Sequence, residues 1–262
     1  NTNYLIIAVK NLILLFENRM PARMLINFIT DLHLKKSIKI KSISSEKELV
    51  DAFNDKVGGG IEWIDNSCRN EAKIINAINN QKIDILLSLQ HKWIISNKVI
   101  DAVSGCAFNT HFGKLPEYRG HHIHIHPILN NEKSITTTLH FMDSKVDYGD
   151  IILEKETDIG CDDTSWSLWH KAVDDAVELN KTIIMWLIEG KKIPIKKVTG
   201  NGKFYKVNSL VGVKEIVSLK DFNEVDRKSR AFYYPPHEPA FFLLNDKKYY
   251  VIPKPFYHKT VV

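Results

Sequence analysis

Cysteine is scarce in this sequence, and the cysteines that occur lie far apart. The chain of 262 residues holds three of them, Cys68, Cys106 and Cys161. An odd, widely spaced set without a CxxC pair argues against a disulfide framework and against a zinc ribbon. We therefore expect a protein of a reducing compartment, and the cytoplasm is the predicted location.

Long apolar runs are equally rare. Residues 4–9 form the first such run, which is too short to span a bilayer, and Lys10 separates it from the next run at 12–16. The N-terminal residues show no signal-peptide pattern. The sequence therefore predicts no membrane association.

A strong excess of one charge is also missing. Lys and Arg together number 36 against 31 Asp and Glu, so the formal net charge is +5, and the basic residues are spread along the chain. A basic arm for nucleic acid would be denser. We expect no nucleic-acid partner, and the mild excess is weak support for an anionic small molecule.

Two local clusters could suggest other chemistry, but neither fits a known pattern. Gly58-Gly59-Gly60 lacks a following Lys-Ser/Thr and is not GxGxxG, so a flexible turn is favoured over a phosphate loop. Residues 121–126 include four histidines, of which His122 and His126 would share a helical face. Without HExxH or a nearby cysteine, we favour structural or substrate-lining histidines, and a metal site remains the alternative.

Apolar runs alternate with helical patterns through most of the chain. Buried strands are expected at 4–9, 83–87 and 106–108, and a strand with one polar face at 37–43. Helices are expected near 22–34, 71–80 and 96–103. A loop from Lys10 to Pro21 is expected to pass over the carboxyl end of the first strand, and Ser45 and Glu48 to form a capping box. The alternation predicts an α/β fold with a mainly parallel, Rossmann-like sheet.

The later part of the chain divides near residue 190. Strands are expected at 135–142 and 151–157, followed by a long amphipathic helix that residues 162–164 cap and that Gly190 ends. Lysines, glycines and short alternating runs then predict a linker and a small, mostly β appendage. We expect one domain over residues 1–190 and a C-terminal β-rich region over 191–262.

Three polar side chains fall where open α/β sheets build their sites. Asn109 and His111 end the apolar strand that begins at Cys106, and Asp147 lies in a turn between two later strands. An amide donor, a titratable imidazole and a carboxylate suit an acyl transfer. His111 would act as the base, Asp147 would stabilise the charged imidazole, and Asn109 would donate to the oxyanion, a contact worth ~3 kcal/mol. The alternative is that all three only hold loops and turns.

Three linked motifs resemble the signature of the folate-dependent formyltransferases, a family that includes methionyl-tRNA formyltransferase and the bacterial sugar N-formyltransferases. They are Asn109-x-His111, Leu115-Pro116-x-Tyr118-Arg119-Gly120 and Val146-Asp147-Tyr148-Gly149-Asp150-Ile151. The resemblance covers roughly residues 83–190 and resumes near the C-terminus. It implies that Asn109, His111 and Asp147 are catalytic.

The resemblance also implies N10-formyltetrahydrofolate as the formyl-donating co-substrate, and no metal. It places the folate near Gln90, Trp93 and Ile94, and Asp143 is a further candidate contact. From the residues alone, Trp93 would more simply belong to the core.

A nucleotide-linked amino sugar is the acceptor that the resemblance favours, because the C-terminal region is short and the charge excess is small for binding tRNA. The specific prediction is dTDP-4-amino-4,6-dideoxyglucose, for a surface polysaccharide such as the O-antigen of lipopolysaccharide, with a homodimer as the assembly. Candidate acceptor contacts are Lys10, Gly113, Phe232 and Tyr233. The alternatives are a methionyl-tRNA formyltransferase-like enzyme, a formyltetrahydrofolate hydrolase, a nucleotide-sugar binding protein without turnover and, more distantly, a histidine-based metalloenzyme.

Overall fold

The computed structural model describes residues 10–17 and 19–253. The first half of the chain contains β1 (Asn11–Phe16), α1 (Met20–Leu34), β2 (Lys39–Ser45), α2 (Lys47–Val57), β3 (Glu62–Asp65), α3 (Glu71–Gln81), β4 (Ile85–Leu89), α4 (Asn97–Ala102) and β5 (Cys106–His111). The second half contains β6 (Arg119–Gly120), α5 (His126–Leu129), β7 (Ser134–Phe141), β8 (Ile151–Asp158), α6 (Ser165–Glu189), β9 (Phe204–Tyr205), α7 (Phe222–Ala231), β10 (Ala240–Leu244) and β11 (Lys247–Val251).

Seven of these strands form one sheet in the order β3-β2-β1-β4-β5-β7-β8. The pairs among the first five strands are parallel, whereas β7 runs antiparallel to β5. Parallel neighbours need crossover connections, which the intervening helices provide. The predicted α/β, mainly parallel, Rossmann-like sheet is therefore confirmed, and the antiparallel β10–β11 pair gives the C-terminal region its predicted β character.

The central strands are buried on both faces, as expected for a parallel sheet that helices cover on both sides. Residues 12–16 of β1 are at most 1% exposed, and every residue of β4 is buried. Such strands carry near-continuous apolar runs, which is why β4 was recognisable in the sequence. Among the described residues, no helix is both long and apolar enough to cross a bilayer.

The prediction for residues 10–21 was wrong. Strand β1 occupies residues 11–16, where a loop was expected, because the apolar run at 12–16 is the one that enters the sheet. The strand predicted at 4–9 lies outside the described residues. The predicted capping box of Ser45 and Glu48 was wrong as well. Ser45 ends β2, and its hydroxyl donates to Glu46 Oε2. Helix α2 begins at Lys47 without a side-chain cap.

Several local predictions are confirmed. Gly58, Gly59 and Gly60 form a turn with φ of 81°, 88° and 89°, a backbone conformation that side chains disfavour, and Gly58 is the C-cap of α2. Before α6, the backbone N–H of Ser167 donates to Thr164 Oγ1 at 3.2 Å, and the N–H of Thr164 donates back to Ser167 Oγ at 2.9 Å. This reciprocal cap explains why the long helix begins at Ser165.

The chain folds into two compact units that interleave along the sequence. Of the described residues, the first unit holds those up to His111, Thr138–Lys155 and Val173–Gly200, and the second holds Phe112–Thr137, Glu156–Ala172 and those from Asn201 onward. The predicted boundary between residues 1–190 and 191–262 stays a prediction.

Candidate functional site

Strand β5 carries Asn109 and His111 to the carboxyl edge of the parallel sheet. The two residues are two positions apart, so both side chains lie on the same face of the strand. Opposite them in the antiparallel neighbour β7, His140 pairs with Asn109 and Thr138 pairs with His111. The register of this one strand pair therefore sets which side chains meet at the site.

Asp147 reaches the same place from the turn that follows β7. Its Oδ2 atom lies 3.5 Å from Nδ1 of His111, and the two side chains are 11% and 9% exposed. The residue itself has φ of 50°, a left-handed conformation that Asp tolerates better than most side chains. The structure thus brings together the amide, the imidazole and the carboxylate that the sequence predicted to lie close.

Gly149 allows this turn to approach β7. A Cβ atom at this position would lie 1.7 Å from the backbone carbonyl oxygen of Phe141, a distance that no side chain can occupy. The N–H of Phe141 also donates to the backbone oxygen of Asp150 at 2.9 Å, which ties the turn to the end of the strand. The close approach of backbone to backbone therefore requires glycine here.

His140 is a fourth member of the cluster. Its Nδ1 atom lies 2.7 Å from the carbonyl oxygen of Phe141. Because a carbonyl only accepts, Nδ1 must carry the proton, and in the neutral ring Nε2 is then an acceptor. Burial lowers the pKa of His140 to about 4, against the opposing influence of Asp147, so the ring is neutral near pH 7.

The neutral tautomer of His140 orients the side-chain amide of Asn109. The Nδ2 atom of Asn109 lies 3.3 Å from Nε2 of His140, and only the amide nitrogen can donate to that lone pair. The contact fixes which end of the amide faces His140. It leaves the second N–H of the same amide group to donate elsewhere, as an oxyanion contact requires.

Sequence reasoning missed His140. The strand was predicted, but the pairing of β7 with β5 is a long-range feature that no local pattern reveals. The available signal was a titratable side chain at the end of a predicted strand, shortly before the Asp147 turn.

The residues predicted to bind folate follow β4 at the same carboxyl edge. Gln90 has φ of 52°, and its Oε1 atom is buried without a hydrogen-bond partner among the described residues. Trp93 donates from Nε1 to the carbonyl of Asn66 at 2.9 Å, and Ile94 is 64% exposed. A buried acceptor without a partner beside exposed apolar surface suits a heterocycle that carries N–H groups, so these residues fit a pterin.

His91 lies beside these residues. Its Nδ1 atom is also buried without a hydrogen-bond partner among the described residues, and burial lowers the pKa of the ring to about 4. His91 lines a small concavity together with Trp93 and Ile94. Asp143, the other predicted folate contact, is exposed, and its Oδ1 atom accepts from the N–H of Ser144.

The structure does not bring Lys10 to this edge. Lys10 precedes β1, whose Leu12 pairs with Ile85 at the start of β4, so it lies at the amino edge of the parallel strands. There it lines a different cavity together with Ile184 and Leu187. Lys10 was expected at the carboxyl edge because the first strand was predicted at residues 4–9, before it, whereas β1 follows it.

The other predicted acceptor contacts belong to the second unit. Gly113 is buried in the loop after β5. Phe232 and Tyr233 follow α7 and are 3% and 6% exposed, and the backbone oxygen of Tyr233 accepts from Ser165 Oγ at 3.0 Å. Neither ring presents an open face, and their predicted contact with substrate stays a prediction.

The histidines at 121–126 have separate partners. His122 Nε2 lies 2.9 Å from the backbone oxygen of Val207, and His126 Nε2 lies 3.0 Å from Ser209 Oγ. Helix α5 begins only at His126, so His122 lies outside the helix and the two residues do not share the expected helical face. In the part of the chain that the structure describes, no group of three or more His, Cys, Asp or Glu side chains is placed to hold a metal.

Residues 31–183, more than half of the chain, match the family model described as formyl transferase. The chain belongs to the formyl transferase family. The resemblance that the three motifs predicted is thereby confirmed. The cluster of Asn109, His111 and Asp147 lies within the matched residues.

Individual formyltransferases also resemble this chain in sequence or in fold. GDP-perosamine N-formyltransferase from Brucella melitensis is 27% identical over 168 residues, which cover 64% of this chain and 64% of that relative. The crystal structure of a 4-N formyltransferase from Francisella tularensis has a TM-score of 0.72 at 21% identity, with 93% of this chain and 96% of that chain covered.

A second solved structure also has a similar fold. The N-formyltransferase from Helicobacter canadensis, in complex with folinic acid and dTDP-3-aminofucose, has a TM-score of 0.69 at 23% identity. The likeness covers 92% of this chain and 86% of that chain. At this identity the likeness concerns the fold alone.

Proposed function

We propose that this formyl transferase moves a formyl group from N10-formyltetrahydrofolate to the amine of a nucleotide-linked amino sugar. The observation that carries the proposal is the cluster of Asn109, His111 and Asp147 at the carboxyl edge of the sheet, with His111 Nδ1 3.5 Å from Asp147 Oδ2. A base, an anion beside it and an oriented amide donor are the groups that acyl transfer to an amine needs.

In the proposed reaction the amine attacks the formyl carbon as the free base. The new C–N bond forms, the carbonyl oxygen becomes an oxyanion, and the amine loses a proton to His111. The carboxylate of Asp147 stabilises the imidazolium that results. Asn109 donates its second amide N–H to the oxyanion, while His140 holds the first. When the bond from the formyl carbon to N10 breaks, His111 returns the proton to the leaving nitrogen, and tetrahydrofolate departs.

Four residues that follow β4 support a folate donor. Gln90 and His91 each present a buried polar atom without a partner among the described residues, and Trp93 and Ile94 supply apolar surface. In the proposal these groups hold the pterin end of the donor. No step in the proposal involves a metal.

For the acceptor, we propose dTDP-4-amino-4,6-dideoxyglucose, and a role in making a surface polysaccharide. A dTDP-linked amino sugar is bound in the Helicobacter canadensis structure, and the Brucella relative bears the name of a GDP-linked amino sugar. Both are nucleotide-linked amino sugars, which supports the class. The homodimer and the cytoplasmic location stay predictions.

The acceptor is identified by incubating the protein with N10-formyltetrahydrofolate and a panel of dTDP-, GDP- and UDP-linked amino sugars. We expect one dTDP-linked 4-amino sugar to gain the mass of a formyl group. A gain on a GDP-linked sugar alone would keep the reaction and replace the proposed acceptor. Folate consumption without any formylated sugar would favour the hydrolase. In a separate incubation with methionyl-tRNA, formylation of that tRNA would favour the tRNA enzyme.

A further inference from the structure

The second unit contains a cavity of about 560 Å³ that formyl transfer does not explain. It lies between residues 126–130, the segment from Lys203 to Val213 and one face of α7, and Asn109, His111 and Asp147 are not among the residues that line it. Small-molecule sites commonly have volumes of roughly 300–1,000 Å³. The cavity is therefore large enough for a nucleotide-sized ligand.

One wall of the cavity is an aromatic stack. The ring of Tyr205 is buried and stacks on His126 with their centroids 3.8 Å apart. The Nδ2 atom of Asn130 donates to the hydroxyl of Tyr205 at 3.0 Å, and His126 Nε2 lies 3.0 Å from Ser209 Oγ. Burial lowers the pKa of His126 to about 4, so this ring adds no charge near pH 7. The wall is thus held in place by its own contacts.

Positive charge surrounds this stack. Lys203, Lys206 and Arg227 line the cavity, and no ion pair of the described residues includes any of them. The lining carboxylate of Glu224 is instead held by Lys228 at 2.7 Å. Cations that share a concave wall repel one another, and their combined field attracts an anion that enters. The charge of the cavity thus favours a polyanionic ligand.

An exposed aromatic ring completes the lining. Phe204 is 43% exposed, and the guanidinium carbon of Arg119 lies 5.5 Å from its centroid. Exposed rings beside basic side chains are the usual means of binding bases that carry phosphates. The side chain of Arg227 can bind phosphate oxygens through two N–H groups at once.

We propose that this cavity binds a nucleoside diphosphate, with the base on Phe204 and the phosphates held by Lys203, Lys206 and Arg227. The inference concerns binding and stands apart from formyl transfer. The ligand has two possible sources, a free nucleotide and the nucleotide portion of a nucleotide-linked sugar, which share this chemistry.

The test is calorimetric titration of the full chain with dTDP, GDP and inorganic pyrophosphate. We expect Arg227→Gln to raise the Kd for the bound nucleotide ~10-fold, and Arg227→Gln combined with Lys206→Gln to raise it ~100-fold. The matched control is Lys220→Gln, an exposed lysine of the same unit that does not line the cavity. Phe204→Ala should weaken dTDP or GDP and leave pyrophosphate unchanged, because only the nucleotides have a base.

Two results would overturn the inference: no binding of either nucleotide to the wild-type protein, or a Kd that the double variant leaves unchanged. The same titrations, repeated with the nucleotide-linked amino sugar, identify which of the two sources supplies the ligand. Equal Kd values for dTDP and the sugar show that the cavity takes the nucleotide alone, and tighter binding of the sugar identifies the acceptor as the ligand. If the wild-type protein formylates no acceptor but still binds a nucleotide in an Arg227-dependent way, the proposed function is wrong and the present inference stands.

Discussion

The amide nitrogen of Asn109 lies 3.3 Å from Nε2 of His140, a ring whose own Nδ1 is held 2.7 Å from the carbonyl oxygen of Phe141. A buried, neutral imidazole thus orients the amide that faces the reacting atoms in the proposed mechanism. His140 is a positioning residue in this account, because it acts through Asn109.

Replacement of His140 tests this relationship. We expect His140→Phe to lower kcat ~10- to 100-fold with little change in the KM for the folate donor, because the amide loses its orientation. Asn109→Ala should cost more, ~100- to 1,000-fold, as removal of an oxyanion donor does. The control is His170→Gln, whose ring contacts Trp166 in the second unit. Equal kcat values for His140→Phe and wild type would show that His140 does not position Asn109.

The carboxylate of Asp147 is tested by an isosteric change. Asp147→Asn keeps the shape of the side chain but removes the charge 3.5 Å from His111. We expect kcat to fall ~100-fold, within the range of general acid–base contributions, and the melting temperature to change little. Asp174→Asn, at an exposed position of α6, is the matched control. A variant with wild-type kcat would limit Asp147 to building the turn.

Gly149 is predicted to be intolerant of a side chain. In Gly149→Ala the new Cβ would meet the oxygen of Phe141 at 1.7 Å, so the Asp147 turn must move away from β7. We expect a loss of about 2 kcal/mol in the free energy of unfolding, as for overpacked sites, and a lower kcat. In Gly160→Ala the nearest atom is the flexible carboxylate of Asp163 at 3.4 Å. The free energies of unfolding of the two variants are measured by denaturant unfolding. Equal values for Gly149→Ala and Gly160→Ala would contradict the steric argument.

Acid should destabilise the fold through its buried histidines. The folded pKa of His140 is about 4, below the usual value near 6.5, because burial disfavours the charged ring. The unfolded chain therefore binds a proton between these two values when the folded one does not, and stability falls as pH drops from about 6.5 to about 4. For His140 this linkage amounts to at most about 3 kcal/mol. Burial also lowers the pKa values of three other histidines, His91, His124 and His126.

The linkage is measured from urea unfolding at several pH values. His140→Gln should show a shallower dependence on pH than wild type between pH 4 and 6.5, by the contribution of one proton. This comparison of slopes is independent of how much the substitution destabilises the protein at pH 7. Parallel slopes would mean that His140 is not buried as a neutral ring.

Most strands of the sheet and most helices could be predicted because their signals are local, although β3 was missed. Strand β4 is an apolar run that only Ser88 interrupts, and α6 combines a strong cap with a long amphipathic pattern. The site residues on β5 and at Asp147 followed from their places at strand ends and from the motifs. Strand β1 was misplaced because two apolar runs flank Lys10, and pattern alone did not show which of them pairs with β4.

The features that sequence reasoning missed depend on contacts between distant segments. His140 meets Asn109 only through the register of β7 on β5. The cavity of the second unit gathers residues near 126, 205 and 227, none of which forms a motif with another. Side-chain periodicity reports which face of an element is buried, but it does not identify the partner of that face.

The central claim is that an amine, and not water, receives the formyl group. The most direct measurement uses N10-formyltetrahydrofolate with a ¹³C label in the formyl carbon, incubated with the amino sugar that the panel identifies and followed by NMR. The account predicts that the label appears as a formamide on the sugar nitrogen, and that His111→Ala abolishes this signal. A label that appears only as free formate, at the same rate with and without the sugar, would contradict formyl transfer and identify a hydrolase.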